Sequence, residues 1–445
     1  MFKIFANAWR VEDIRKKLLF VFLLLLIFRF GSAIPLPGIN LETLDLARGG
    51  GGDFEQGFVP TIFNMIAGGG IGSLFAMGIA PYITASIIMQ LLSYAIPYFS
   101  ELKKEGEEGN KKIQQITRYL AVALAALQAA ATVFSYTNFN QSGISLFRGD
   151  LTPGGFQSFF TYAIATIAMM SGTIFIMWLA ELITEKGIGQ GASFLIFANI
   201  LAALPQGAMA LWVMVTGESP LTNIGLVLVL LVVFVAIIAF VVLVHEGERR
   251  IPVQYAKRAS GTGRGSSMHG NHNSFIPIKV NLAGVLSIIF AMSLLQFPMQ
   301  IAQFFPRAAE GGIFATVIRF LDWNHPVGMI IYVLLIFMFT HFYTSFAVNP
   351  REMAENMKKN GGFIPGIRPG QPTSEFIQTT VNRLSWIGAV FYSLIAISPI
   401  ILDRFMPIQM GFGGTSLLIV TGVALEFVKQ LESQLLMRHY KGFLD

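Results

Sequence analysis

Few ionisable residues fall inside the long apolar runs of this 445-residue chain. The candidates are Arg29, Glu181, His245, His341 and Glu426, each off-centre or at the end of its run. Charged groups at membrane depth are costly and often mark ion pathways, so an ion-coupled transporter should hold a paired set of them near the bilayer midplane. No such pair is present, and a single residue of this kind more often makes one interhelical contact. The pattern favours a passive apolar pore or a scaffold over a pump.

The sequence lacks the residues of the common catalytic and metal sites. It has no cysteine, and its six histidines are scattered without metal-ligand spacing. It contains no phosphate-binding GxxxxGK[ST] loop, no HExxH and no GxSxG. We therefore expect no catalytic residue, no metal and no cofactor, and any nucleotide-driven work must belong to a partner.

Two long polar loops, 246–280 and 349–383, hold clusters of positive charge. Basic loops beside a membrane usually set topology or contact anionic lipids. The turn PGIRPG at 365–370 needs more explanation, because its prolines and glycines shape the backbone that carries one arginine. A shaped basic tip suits an acidic partner, either RNA or an acidic protein face. The candidate docking residues are Arg249, Arg250, Lys257, Arg258 and Arg368.

The composition is that of a polytopic membrane protein, with 54% hydrophobic and 13% charged residues. Soluble proteins carry about 25% charged residues. Runs near the roughly 20 residues that a spanning helix needs occur ten times. The predicted spans are 18–35, 73–93, 118–136, 156–180, 188–206, 221–244, 281–303, 327–347, 382–402 and 413–435.

The distribution of lysine and arginine predicts the orientation of these spans. With both termini inside, the inner segments hold five times as many of these residues as the outer segments. Cytoplasmic loops carry such an excess, so both termini are expected to face the cytoplasm. The basic amphipathic segment 1–17 has no cleavage site and is interpreted as a retained interfacial helix.

Ten spans divide into two sets of five at the loop near Glu218, giving an N-terminal half (1–215) and a C-terminal half (216–445). An odd number of spans per half inverts the second half relative to the first. That arrangement is typical of an inverted repeat with a site between the halves. The alternative is ten helices without internal symmetry, since the letters themselves show no repeat.

A short apolar piece next to a glycine cluster precedes the second span. A piece of this length cannot cross a bilayer, and the glycines permit a sharp change of direction. It either dips into the membrane as a stopper, the plug at about 61–72, or lies on the outer interface as a half-helix. The residues of the piece and its hinge are Thr61, Ile62, Phe63, Asn64, Met65, Ile66, Ala67, Gly68, Gly69 and Gly70.

Nine strings in the same order make the chain resemble the SecY family of protein-conducting channels over essentially its whole length. They are FRFGSAIPLPGI (28–39), FAMGIAPYITASIIMQLL (75–92), KKEGEEGNKKI (103–113), EKGIGQGASFLIFA (185–198), ERRIPVQYAKR (248–258), IPIKVNLAGVL (276–286), AVNPREMAENMKK (347–359), GGFIPGIRPGQPT (361–373) and FGGTSLLIV (412–420).

The resemblance implies an all-α membrane fold of two five-helix halves around an hourglass pore. It implies outward passage of unfolded secretory proteins and sideways release of membrane segments into lipid. The segment 61–67 matches the family's plug. Alanine replaces the usual isoleucine at one position of the apolar pore ring, where the seal is expected to be wider. The ring falls on Ile79, Ile83, Ala192, Ile196, Ile289 and Ile419.

The same resemblance implies a lateral gate between spans two and seven, flanked by spans three and eight. Thr84, Ser86, Gln90 and Gln128 are polar residues that would tune it or simply join helices. The basic loops would dock the ribosome with its nascent chain or the SecA ATPase motor. SecE and SecG are implied as further subunits, and signal peptides and unfolded preproteins as the transported partners.

Two other functions compete with the channel. A secondary transporter with an inverted repeat would need the buried acidic or histidine cluster that the sequence lacks. A scaffold or insertase without a pore would not need the half-helix and hinge at 61–72.

Overall fold

The computed structural model describes residues 2–40, 72–138, 147, 156–216, 220–255, 274–280, 285–302, 312–321, 325–405 and 414–441. The helices of the first half are α1 (Phe2–Arg10), α2 (Glu12–Ala33), α3 (Ala80–Ala95), α4 (Pro97–Lys104), α5 (Glu107–Asn138), α6 (Phe156–Lys186) and α7 (Gly191–Thr216). Those of the second half are α8 (Pro220–Glu246), α9 (Leu286–Ala302), α10 (Gly312–Leu321), α11 (Pro326–Ala347), α12 (Pro350–Lys359), α13 (Gln371–Phe405) and α14 (Gly414–Lys441). The strands are β1 (Glu248–Tyr255), β2 (Ser274–Lys279) and β3 (Gly362–Phe363).

A helix lies over each of the ten predicted spans, but length and hydropathy identify only 6 membrane-crossing helices among the described residues. The bent pair α3 and α4, which meet at 96°, would add a seventh. The apolar part of α9, Leu286–Met299, is shorter. The full ten-span count therefore stays a prediction. The six segments are Glu107–Phe134, Ser158–Lys186, Gly191–Val213, Ile224–Glu246, Pro326–Lys359 and Gln371–Ser398.

The prediction of an all-α protein is wrong in the polar loops. A three-stranded sheet with the order β2-β1-β3 lies there. Strand β1 pairs antiparallel with β2, placing Ile251 opposite Ile276, and its end pairs with β3. Ile251 and Val253 are buried between exposed neighbours, the alternation of a half-buried strand. That alternation is present in ERRIPVQY and could have revealed the strand.

The second predicted span, 73–93, is helical only from Ala80. Residues 72–79 form turns, with Gly72 and Gly78 at φ of 74° and 52°. Such positive φ values are unfavourable for residues that have a Cβ atom, so the helix cannot begin before Gly78. Helix α6 begins at the predicted residue Phe156, and α8, α11 and α14 begin within one residue of the predicted starts. Helix α13 begins at Gln371, well before residue 382.

One apolar cluster joins both predicted halves. It contains Phe28 of α2 and Ile83 of α3 together with Tyr332, Tyr392 and Leu418 of α11, α13 and α14. Helices of the two halves meet along α3 and α9 and along α7 and α14. These two seams position the site described next.

Candidate functional site

A cavity of about 780 Å³ lies between the two predicted halves. Helices α3, α6, α7, α9 and α14 contribute most of its wall, and α8, α11 and β2 contribute the rest. Along α14 the wall runs from Ile419 to Ser433, which is about 21 Å of helix. The wall is apolar at the Ile419 end and becomes polar and charged toward Ser433. We call this cavity the funnel, with an apolar end near Ile419 and a polar end near Ser433.

The structure brings the predicted ring residues together at the apolar end. Five of the six line the cavity, and the sixth, Ile79, belongs to the same apolar cluster without lining the cavity. The five isoleucines are buried, whereas Ala192 is only partly buried. The residues that line the cavity are Ile83, Ala192, Ile196, Ile289 and Ile419.

The ring residues lie near the beginnings of their helices on three of the four elements. Ile79 is the N-cap of α3, and its carbonyl oxygen accepts a hydrogen bond from the Ile83 N–H at 3.1 Å. Ala192 is the second residue of α7, and Ile289 the fourth of α9. The apolar end of the funnel is therefore lined by residues in the first turns of α3, α7 and α9.

The polar end of the funnel, near Ser433, carries charged side chains. Lys429 pairs with Glu246 of α8 at 2.9 Å, and Gln430 donates to Glu426 at 3.4 Å within α14. His245 and Lys279 also line this end. Among the described residues, no group of three or more histidine, aspartate or glutamate side chains could hold a metal ion.

Sequence reasoning missed several lining residues. Phe290 lines the cavity and packs edge-on against Phe339 and Tyr343 of α11, with ring centroids 5.8 and 6.4 Å apart. Gly422 is needed because a Cβ there would come within 2.5 Å of Val285. Phe290 directly follows the predicted ring residue Ile289. This adjacency is the sequence feature from which its place in the cavity wall could have been predicted.

The four predicted gate residues do not bridge the α3–α9 seam by hydrogen bonds. Thr84 donates to the Ala80 carbonyl, and Gln90 donates to Ser86 at 3.5 Å, so these bonds stay within α3. Ser86 and Gln90 do line the funnel. The seam itself is closed, with α3 packed on α9 and α9 packed on α11.

Gln128 is the unusual member of the predicted gate set. Its side chain lies on α5, the helix that packs against both α3 and α9, and the residue is only 4% exposed. Neither its amide nitrogen nor its amide oxygen has a hydrogen-bond partner. Leaving a buried polar group unpaired costs about 1–3 kcal/mol. The buried amide therefore costs free energy in this arrangement of the helices.

The two basic loops form one unit. Strand β3, from the second loop, adds to β1 of the first loop, with Tyr255 opposite Gly362. Beneath the sheet lies an apolar cluster that includes Val253, Met357, Ile364 and Ile377. The candidate docking residues Lys257 and Arg258 lie outside the described residues. We call the sheet, α12, the turn at 364–370 and the first turns of α13 the loop unit.

Arg249, Arg250 and Arg368 are exposed on the loop unit. Arg250 pairs with Glu248 at 2.7 Å and lies 4.8 Å above the Phe275 ring. Arg368 lies in a turn between Gly366 and Gly370, whose φ values are 84° and 107°. Its carbonyl oxygen accepts a hydrogen bond from Thr373 Oγ1 at 2.8 Å. The backbone of the Arg368 tip is thus held while its side chain is free to reach solvent.

The predicted plug residues, 61–70, lie outside the described residues. The first described residue after them, Gly72, is tied to the body, because its N–H donates to the Tyr136 hydroxyl at 3.3 Å. The end of the predicted plug hinge is therefore anchored to α5.

Comparisons with known proteins agree with this architecture. The protein translocase subunit SecY of Halalkalibacterium halodurans is 43% identical over 452 residues, covering 100% of both chains. A solved SecY structure, described as one whose plug domain stabilises the closed channel and maintains a membrane seal, has a TM-score of 0.62 at 18% identity. It covers 92% of this chain and 90% of that chain.

Sec61 in the canine ribosome–channel complex from the endoplasmic reticulum has a TM-score of 0.60 at 19% identity, covering 93% of this chain and 90% of that one. At these identities the solved structures show a shared fold. The model of the SecY family matches residues 73–428. Matched over that range by the family and over its full length by a curated relative, this chain belongs to the SecY family.

Proposed function

We propose that the chain is the channel-forming subunit of a protein translocase in a bacterial plasma membrane. It passes unfolded secretory proteins across the membrane and releases transmembrane segments sideways into lipid. The observation that carries the proposal is the funnel between the two halves, whose apolar end is lined by buried isoleucines. The chain is not an enzyme, so a partner motor or a translating ribosome supplies the driving force.

The apolar ring gives such a channel two properties at once. A narrow apolar constriction sheds water, and without water ions do not cross it. The same side chains offer no hydrogen bond or charge to a passing polypeptide, so chains of any sequence slide through without being trapped. The smaller side chain at Ala192 leaves the ring wider on the α7 side.

The proposed topology has ten spans in two inverted halves, 1–215 and 216–445, with both termini in the cytoplasm. The excess of lysine and arginine in the inner segments supports it. The position of a helix over each span supports it as well. In this topology the polar end of the funnel opens to the cytoplasm, where a polypeptide enters.

The proposed lateral gate is the seam between α3 and α9, flanked by α5 and α11. Helix α3 packs on α9 at this seam, and the hydrogen bonds of Thr84, Ser86 and Gln90 stay within α3. Little polar attraction therefore holds it closed, and an arriving apolar signal helix can replace the lost contacts with its own.

Gln128→Leu is expected to make the gate harder to open. Leucine of similar size removes the unpaired buried amide and so stabilises the closed seam by about 1 kcal/mol or more. Export of preproteins with weakly hydrophobic signals should fall several-fold, whereas strongly hydrophobic signals should be little affected. Pulse-chase export assays with a graded signal series measure this. Gln115→Leu, on the exposed part of the same helix, is the matched control. Faster export in Gln128→Leu would contradict the role given to the amide.

The loop unit is the proposed docking surface for the ribosome and the SecA motor. Exposed arginines on a rigid base suit RNA phosphates and acidic protein surfaces, because the guanidinium group binds such groups in a fixed geometry. The proposed further partners are SecE and SecG in the membrane, anionic lipids beside the basic segments, and signal peptides with their unfolded preproteins in the funnel. The segment 61–70 is proposed as the plug.

Photo-crosslinking tests the channel directly. A photoreactive residue at Ile83 or Ile289 is combined with a secretory protein stalled in mid-export in living cells. Both positions line the funnel and should crosslink to the stalled chain.

Ile330 and Ile387 provide matched controls, because both are exposed on the outer faces of α11 and α13. These positions should crosslink to lipid or neighbouring proteins and not to the stalled chain. Crosslinks from Ile83 and Ile289 only to neighbouring helices would remove the pore from the proposal.

A further inference from the structure

The segment that leads into α3 is fixed to the body by backbone hydrogen bonds. The Leu36 N–H donates to the Gly72 carbonyl and the Leu74 N–H donates to the Ile34 carbonyl, both at 2.9 Å. This short antiparallel bridge ties residues 72–74 to the end of α2. Helix α3 itself has no side-chain cap at its N-terminus. Its starting position therefore depends on the segment before it.

Phe75 is the side chain that locks this segment in place. It is 3% exposed and stacks between Phe28 of α2 and Phe175 of α6, with both ring centroids 6.0 Å away. Two glycines make room for the ring. A Cβ at Gly31 would overlap it, and one at Gly172 would overlap the Leu74 carbonyl oxygen and come within 3.0 Å of the ring. We call Phe28, Gly31, Gly172 and Phe175 the Phe75 socket.

The socket is joined closely to the proposed ring. The Gly78 N–H donates to the Phe75 carbonyl at 2.9 Å, which closes a tight turn just before Ile79. Ile79 is 1% exposed, and its carbonyl receives the first helical hydrogen bond of α3, from Ile83. A shift of Phe75 must therefore move the first turn of α3 and the two isoleucines on it.

We propose that Phe75 is a positioning residue of the channel. By filling its socket it fixes the start of α3 to α2 and α6. Ile79 and Ile83 therefore keep the seal while the rest of α3 moves away from α9. This inference rests on the proposed channel function. It makes the N-terminal end of α3 the pivot about which that helix rotates when the gate opens. A rigid helix turning about a fixed end moves least near that end. Gln90 lies about 10 Å beyond Ile83 along α3 and moves farther during the same rotation.

Gly31→Ala tests the pivot, because the added methyl group displaces the Phe75 ring. Overpacking this tight site shifts the equilibrium between the sealed and the leaking channel toward the leaking state. We expect the ion conductance of the resting channel to rise roughly tenfold, which is equivalent to about 1.4 kcal/mol. Conductance is measured on the assembled channel, purified from membranes with its own subunits, in planar bilayers. Gly225→Ala, where the methyl group meets open space, should match the wild type.

A compensating substitution separates positioning from general damage. The smaller side chain in Gly31→Ala/Phe75→Leu should restore most of the ion tightness, since it gives back the space that the methyl group takes. Phe75→Leu alone underfills the socket and should leak. If Gly31→Ala does not assemble, Phe75→Leu and Gly172→Ala carry the test. Wild-type tightness in these variants, or a leak that the double variant does not reduce, overturns the proposal.

The Ile83→Gly/Ile289→Gly channel is measured in parallel. A leak in that variant with a tight Gly31→Ala channel would discard the pivot and leave the ring assignment standing. Tightness in both would discard the ring assignment as well.

Discussion

Glycine at both Ile83 and Ile289 is expected to make the resting channel conduct ions. The two side chains face the funnel from opposite sides of the seam, on α3 and α9, and both are buried. Removing them takes eight carbon atoms out of the constriction. The gap then admits water, and an apolar constriction that stays wet no longer excludes ions. Single-channel recordings of the assembled channel should show frequent openings in the absence of any substrate.

The control for this variant must carry the same change of residue type. Ile330→Gly/Ile387→Gly removes two isoleucines that are 59% and 58% exposed on α11 and α13. Each glycine in a helix costs about 1 kcal/mol of stability wherever it lies. The control therefore shares that cost but keeps the ring, and its conductance should equal that of the wild type. Equal conductance in the ring variant would mean that Ile83 and Ile289 do not form the seal.

The helices were predictable because each spanning segment must be apolar over a fixed length, and this requirement is visible residue by residue. The positions of Ile83, Ile196, Ile289 and Ile419 in the funnel were predicted from the family resemblance. The structure places all four on the funnel wall. Composition alone does not distinguish them from isoleucines that face lipid.

Contacts between distant segments were not predictable from one sequence. Strand β3 pairs with β1 although Gly362 and Tyr255 are about a hundred residues apart. The sequence of neither strand indicates which distant segment it pairs with. The contacts of the Phe75 socket were equally unpredictable. Gly31 lies in a string that the family shares, but nothing in the string shows that the ring of Phe75 fills the space beside it. The late start of α3 follows from Gly78, whose backbone conformation appears only in the structure.

Charge reversal at Arg368 is expected to block partner-driven export while leaving the channel intact. The side chain is exposed on a turn whose backbone is held by a hydrogen bond from the Thr373 hydroxyl, between Gly366 and Gly370, so its point of attachment on the loop unit is fixed. In Arg368→Glu a partner surface that is acidic meets a like charge, which costs an interface several kcal/mol. Export of preproteins in cells, and binding of the purified motor or ribosome to channel vesicles, should both fall by more than tenfold.

Two further substitutions test whether the tip itself is responsible. Lys358→Glu makes the same change of charge on α12, elsewhere on the loop unit, and should have a much smaller effect. Arg368→Lys keeps the charge but loses the planar group that pairs with phosphates and carboxylates at two points, so it should restore binding only in part. If Arg368→Glu and Lys358→Glu lower binding equally while Arg368→Lys matches the wild type, the partner senses the total charge of the loop unit. A ranking with Arg368→Glu far below Arg368→Lys, and Lys358→Glu near wild type, would place the contact at the tip. A large effect of this single guanidinium group is expected because the backbone of that turn is held in place.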